Sequence, residues 1–387
     1  MRDFLGFIRP SRAARFAAIN IAVFGGLYLL GELILHLAWG EHNLLLPKYA
    51  LMTSHPVYHH TLRANFNGYD VWGPLRNRVY TNSLGFKDAS ARVVPHVSDR
   101  KRILFIGDSF TEGIGLPYED TFVGQFAAAF PHIEVLNAGV SSYSPSIYYE
   151  KIKHLLNSGL HFDETIVFID ISDIQNEAQD YYHDEQGVVR TATNIPDHCS
   201  HLPTKSWWQK AFFVADFVNE AVSAERFMSF VATASAAALM AENRPYSRDV
   251  QIASWTYNPN TPCYGPHGVQ GGVDKAKRQM DRLYDLLNAR GVPLSVGVYP
   301  WTQQLLYDVE DSLQVRIWHE WCEGKCKAFY NHFPAFFRYK EQHAGFLKRL
   351  YIWGDHHLTS QGNRVISGDL AKAYRDRQAS NIPSEAE

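Results

Sequence analysis

The stretch Ile103-Leu104-Phe105-Ile106-Gly107-Asp108-Ser109 constrains the fold more than any other part of the chain. Four successive apolar residues closed by Gly-Asp read as a strand buried on both faces, as in a parallel sheet covered by helices. Reaction sites in open α/β sheets lie beyond the carboxyl ends of the strands, which is where Ser109 is delivered. A serine hydroxyl is a weak nucleophile until a histidine takes its proton and an acid orients that histidine. Both residue types stand together near the far end of the chain, in Gly354-Asp355-His356-His357-Leu358-Thr359.

The rest of the core repeats the strand and helix alternation. Strands are expected at 102–106, 133–136, 165–171, 292–299 and 327–331, with helices near 121–130, 146–158, 273–290 and 360–374. Such βαβ units with right-handed crossovers build a parallel sheet. The expected fold is therefore α/β, three layers with a parallel, flavodoxin-like sheet, over residues 101–378. An insertion at about 181–272 interrupts it, holding a helix from Trp207 to about Met240 and a stretch rich in Pro, Gly, Asn and Tyr. Residues 40–100, with Pro47, Pro56, Pro74 and Pro95, read as a wrapped lead-in, and 379–387 as a polar tail.

In the order of these blocks the chain resembles the SGNH (GDSL-type) hydrolase superfamily, over roughly residues 80 to 375. Gly107-Asp108-Ser109-Phe110 is similar to the block that holds the nucleophile, and Asn82-Ser83-Leu84-Gly85-Phe86 to a stretch upstream of it in extracytoplasmic relatives. Asn137-Ala138-Gly139 resembles the second block, which implies that the Gly139 amide joins that of Ser109 in an oxyanion hole. Asp355 and His357 resemble the terminal acid and base, with His356 as an alternative base. The third block departs from the family: Ser172 takes the usual place of an asparagine donor, and Asn176 or Gln175 are substitutes from the following loop. A hydroxyl donates one hydrogen bond, over a shorter reach than an amide.

The N-terminus bears on location. Residues 16–38 are almost wholly apolar, close to the roughly 20 that a spanning helix needs. Arg2, Arg9, Arg12 and Arg15 lie in or beside the tail 1–15 that precedes it, which favours a cytoplasmic N-terminus and an extracytoplasmic body, on the periplasmic side. All four cysteines fall in that body. Cys322 and Cys326 are expected to form a disulfide, with free thiols or a metal pair as alternatives; Cys199 and Cys263 are paired by arithmetic only. A net charge of −3 supplies no basic footprint for nucleic acid. None of the 18 histidines stands in a ligand spacing, so no metal and no other cofactor is expected.

These readings converge on an esterase or deacetylase that forms an acyl-serine on an acyl ester, with acetyl esters of exported carbohydrate as the favoured class. The resemblance leaves two alternatives open: an O-acetyltransferase of cell-surface polysaccharide, and a degenerate domain that binds glycans or an assembly partner. Trp255 and Trp301, with Trp207 and Trp208, are candidates for a sugar-stacking surface.

Overall fold

The computed structural model describes residues 12–39, 51–72, 75–193, 195–196, 199, 246–352 and 354–380. The helix expected between Trp207 and Met240 lies outside the described residues, together with Trp207 and Trp208. So do residues 381–387 of the expected tail.

Five parallel strands form the heart of one eight-stranded sheet: β6 (Arg102–Ile106), β7 (Glu134–Asn137), β8 (Glu164–Phe168), β11 (Leu294–Val298) and β12 (Ala328–Asn331). Their spatial order, β12-β11-β8-β6-β7, is the flavodoxin-like order. Every residue of β6, β7, β8 and β11 is buried, which is why stretches such as 103–106 and 166–168 are apolar at successive positions rather than alternate ones. Right-handed crossovers from β6 outward in both directions put the following helices on opposite faces. Accordingly α3 (Phe122–Ala129) packs on the final helix α7 (Ser360–Ser380), and α4 (Pro145–Asn157) packs on α5 (Gly268–Asn288).

The expectation of a purely parallel sheet needs correction. The lead-in adds β3 (Asn67–Trp72), β4 (Leu75–Thr81) and β5 (Lys87–Asp88), all antiparallel, on the β7 side of the sheet. Two residues separate β3 from β4, a connection that only an antiparallel hairpin can make. Their half-exposed, polar sequence carries no apolar run, and so the strands were invisible to the reading that located β6. A separate hairpin, β1 (Met52–His55) with β2 (His59–Leu62), precedes them, and β9 (Tyr181–His183) pairs with β10 (Val189–Thr191) at the start of the insertion.

Two disulfides join Cys199 to Cys263 and Cys322 to Cys326. The second closes the turn after α6 (Leu313–Cys322). At the N-terminus α1 (Arg12–Trp39) is helical throughout, and side chains such as Phe16, Ile21, Phe24 and Leu29 stand exposed. Several of its side chains are outside the described residues; among the described residues no helix is long and apolar enough to cross a membrane.

Candidate active site

The nucleophile block is built by a tight turn between β6 and the single-turn helix α2 (Ser109–Glu112). A side chain at Gly107 would sit 2.2 Å from Thr111 Oγ1 and 2.9 Å from the Phe168 carbonyl, so only glycine lets the turn close against β8. Asp108 caps the turn, its Oδ1 accepting the Phe110 N–H at 3.0 Å. As the first residue of α2, Ser109 has an amide N–H without an intrahelical acceptor.

The terminal block meets Ser109 across 248 residues of sequence, with His357 Nε2 lying 2.9 Å from Ser109 Oγ. The other ring nitrogen of His357, Nδ1, is 3.1 and 3.0 Å from the two carboxylate oxygens of Asp355. Serine, histidine and acid thus form one chain of hydrogen bonds. His356 is not part of it: its Nδ1 is 3.5 Å from Asp355 Oδ1, and its ring stacks on Trp301 at 3.9 Å. Burial and the neighbouring His357 push the His356 imidazole down to about 3, against the pull of Asp355. Burial alone would raise the Asp355 carboxyl; His357, then His356 and the Trp72 N–H, outweigh it and hold the acid below the usual carboxylate range.

Sequence reasoning missed Trp72, whose indole N–H donates to Asp355 Oδ2 and whose ring meets the His357 ring edge-on at 5.1 Å. It lies on β3, in the segment read as a lead-in without a role in the site. Glu112 was also missed. It ends α2, and its Oε2 accepts the Ser141 N–H at 2.7 Å, tying the nucleophile turn to the loop that follows Gly139. Burial, with Asp70, pushes its carboxyl up to about 7, against the Lys87 ammonium, the Ser141 N–H and His357.

The oxyanion expectations fare unevenly. Gly139 packs against the nucleophile turn so closely that a side chain would lie 2.8 Å from Thr111 Cβ and 2.9 Å from the Glu112 nitrogen. Its N–H, however, donates to Asn137 Oδ1 at 3.1 Å. The Ser172 hydroxyl donates to Asp170 Oδ1 at 2.5 Å, and the Asn176 amide to Asp180 Oδ2 at 2.6 Å. A hydroxyl has one hydrogen, so Ser172 has none left for an oxyanion while Asp170 holds it. The Asn176 amide has a second hydrogen, and the Ser109 amide has no intrahelical acceptor.

Neither tryptophan offers a sugar platform, which corrects that expectation. Trp255 is 0% exposed and donates its indole N–H to the Ile171 carbonyl at 2.9 Å, as a core residue does. Trp301 is buried between Phe110 and His356 and donates to Asp170 Oδ2 at 2.6 Å. Asp355, His356 and His357 bring three atoms of metal-ligand type within 4.8 Å of one another, but both nitrogens of His357 are already directed at Asp355 and Ser109.

No family model and no curated protein matches the sequence. Among solved structures, a lipolytic protein of the G-D-S-L family from Veillonella parvula is similar at 10% identity over 71% of this chain and 98% of that one, with a TM-score of 0.39. A catalytic mutant of an acetylxylan esterase from Geobacillus stearothermophilus is similar at 10% identity, covering 73% and 96%, TM-score 0.38. A psychrotrophic esterase from Pseudoalteromonas is similar at 10% identity, covering 72% and 99%, TM-score 0.37. The α/β sandwich on a mostly parallel sheet sets Gly-Asp-Ser directly beyond its first parallel strand, β6.

Proposed function

We propose that this chain is a serine ester hydrolase of the SGNH type that works through an acyl-serine, with Ser109 as nucleophile, His357 as base and Asp355 as the acid that orients it. The observation that carries the reading is the unbroken contact from Ser109 Oγ to His357 Nε2 at 2.9 Å and from His357 Nδ1 to Asp355. His357 takes the serine proton as Oγ attacks the ester carbonyl, and the imidazolium that forms is stabilised by Asp355. The Ser109 amide donates to the developing oxyanion. Collapse expels the alcohol, which receives the proton from His357, and water then repeats the sequence on the acyl-serine.

We further propose that α1 anchors the protein in a membrane with the catalytic body outside the cytoplasm. The apolar run, the arginines before it and the two disulfides support this address. A body held there meets exported glycans, and acetyl esters of such carbohydrates are the substrates of first choice.

The test is labelling of the full-length protein in detergent by a serine-directed fluorophosphonate. Modification at Ser109 that is lost in Ser109→Ala is expected, and a native protein that never labels overturns the reading. In a second arm, acetylated oligosaccharides should release acetate. Passage of acetyl from a donor ester to a saccharide hydroxyl in place of water would convert the assignment to a transferase.

A further inference from the structure

Ser109 has one hydroxyl hydrogen and two partners. Its Oγ lies 2.9 Å from His357 Nε2 and 3.1 Å from Asp108 Oδ2. A hydroxyl donates once, so the second contact is a hydrogen bond only if the partner brings a proton of its own. The other oxygen of Asp108 is occupied as an acceptor, by the Phe110 N–H at 3.0 Å and the Tyr299 hydroxyl at 3.1 Å.

The surroundings decide which partner brings the proton. Asp170, in the turn after β8, accepts from Ser172 N at 2.8 Å, from the Ser172 hydroxyl and from Trp301 Nε1 at 2.6 Å. Asp173 accepts the Tyr148 hydroxyl of α4 at 2.9 Å, and its Oδ1 is buried without a partner. All three carboxyl groups are buried, and among the described residues none has a Lys, Arg or His nitrogen within ion-pair distance. Carboxylates that share a dry site without a cation cannot all ionise.

We propose that Asp108 is protonated in the working enzyme and donates its proton to Ser109 Oγ, so that the serine's own hydrogen is aimed at His357. Asp108 is then a positioning residue for the nucleophile, an inference that rests on the acyl-serine chemistry proposed above. One lone pair of Oγ accepts from Asp108 and the other faces the ester. On attack the bond from Oγ to the acyl carbon forms, the serine hydrogen passes to His357 Nε2, and the Asp108 proton stays where it is. An ionised Asp108 would instead capture the serine hydrogen and leave His357 facing an oxygen with no proton to remove. Burial, then the neighbouring Asp170, pushes the Asp108 carboxyl well up, against its hydrogen bonds with Phe110, Ser109 and Tyr299. The groups that face it are Ser109 on its own turn, Tyr299 after β11, Asp170 and Asp173 after β8, and Tyr148 on α4.

Asparagine imitates the protonated acid: its Oδ1 can keep the Phe110 and Tyr299 bonds while its Nδ2 donates to Ser109. In the full-length protein, Asp108→Ala should lower kcat/KM about thirtyfold, and Asp108→Asn should restore it to within about threefold of native, as expected for loss and recovery of one buried hydrogen bond. The native enzyme should lose activity at high pH as Asp108 ionises, and Asp108→Asn should lack that limb. Infrared spectra of the native protein near neutral pH should show a protonated-carboxyl band that weakens in Asp108→Asn. An Asp108→Asn protein that is folded yet as impaired as Asp108→Ala, or that keeps the alkaline limb, overturns the proposal. If the native protein neither labels with fluorophosphonate nor turns over ester, the acyl-serine reading fails separately, and the infrared band alone still decides where the proton sits.

Discussion

Trp72 on β3 donates its indole N–H to Asp355 Oδ2, so the antiparallel edge of the sheet holds the acid of the terminal block. Phenylalanine at this position would keep the ring against His357 and remove the donor. Trp72→Phe should lower kcat by about tenfold with KM little changed, the usual cost of losing a group that orients the relay. Because the Asp355 carboxyl is held low when folded, its stabilising contribution is present above its unfolded value of about 3.9 and is lost as pH falls through the folded value. Acid unfolding of Trp72→Phe should therefore begin at higher pH than in the native protein, and coincident acid transitions would count against the role of Trp72.

The relay itself gives a contrast between neighbours. Ser109→Ala, His357→Ala and Asp355→Asn should each lower turnover by roughly 10³-fold or more, and a double variant should lose little beyond the worse single one, because the three act as a unit. His356→Ala, which removes a ring stacked on Trp301, should retain far more activity. Single-turnover rates on an activated ester would expose the reverse ranking, and with it an error in the assignment of the base.

Glu112 offers a test on stability. Its carboxyl is raised to about 7 in the folded protein, so between its unfolded value and pH 7 the folded state holds a proton that the unfolded state releases. Stability should fall with rising pH across that window, by at most about 1.4 kcal/mol per pH unit from this group. Glu112→Gln, which can still accept the Ser141 N–H, should flatten the slope. Denaturation curves at pH 5, 6 and 7 that remain parallel in native and variant would refute the point.

The two disulfides should differ in worth. Cys199 and Cys263 stand 64 residues apart and Cys322 and Cys326 only 4. In the chain-entropy view the long loop contributes about 4 kcal/mol and the short one about half of that. Paired Cys→Ser replacements compared by thermal unfolding check the ranking.

Much of the site was legible because its residues lie where a buried strand stops. The unbroken run from Ile103 to Ile106 located β6, and Ser109 followed from the turn beyond it. Asp355 and His357 were legible from their order after the serine. Trp72 was not, because a tryptophan on a half-exposed strand looks the same in sequence whether its N–H meets water or a carboxylate 283 residues away. Trp255 and Trp301 misled for the related reason that an indole in an irregular stretch does not reveal which of its faces is covered. Ser172 was correctly placed after β8, but its hydrogen goes to Asp170, a pairing set by a two-residue turn that residue spacing does not disclose.

The position of β3 to β5 also sets a schedule. These strands leave the ribosome well before β7, the parallel strand against which β5 pairs at Lys87 and Asn137. Trp72 must then wait for a further 283 residues to be made before Asp355 emerges to accept its N–H. Loop closure over such separations makes this contact a late one in folding. A nascent chain halted between Glu112 and Asp355 would carry the turn that presents Ser109 with neither His357 nor Asp355 beside it.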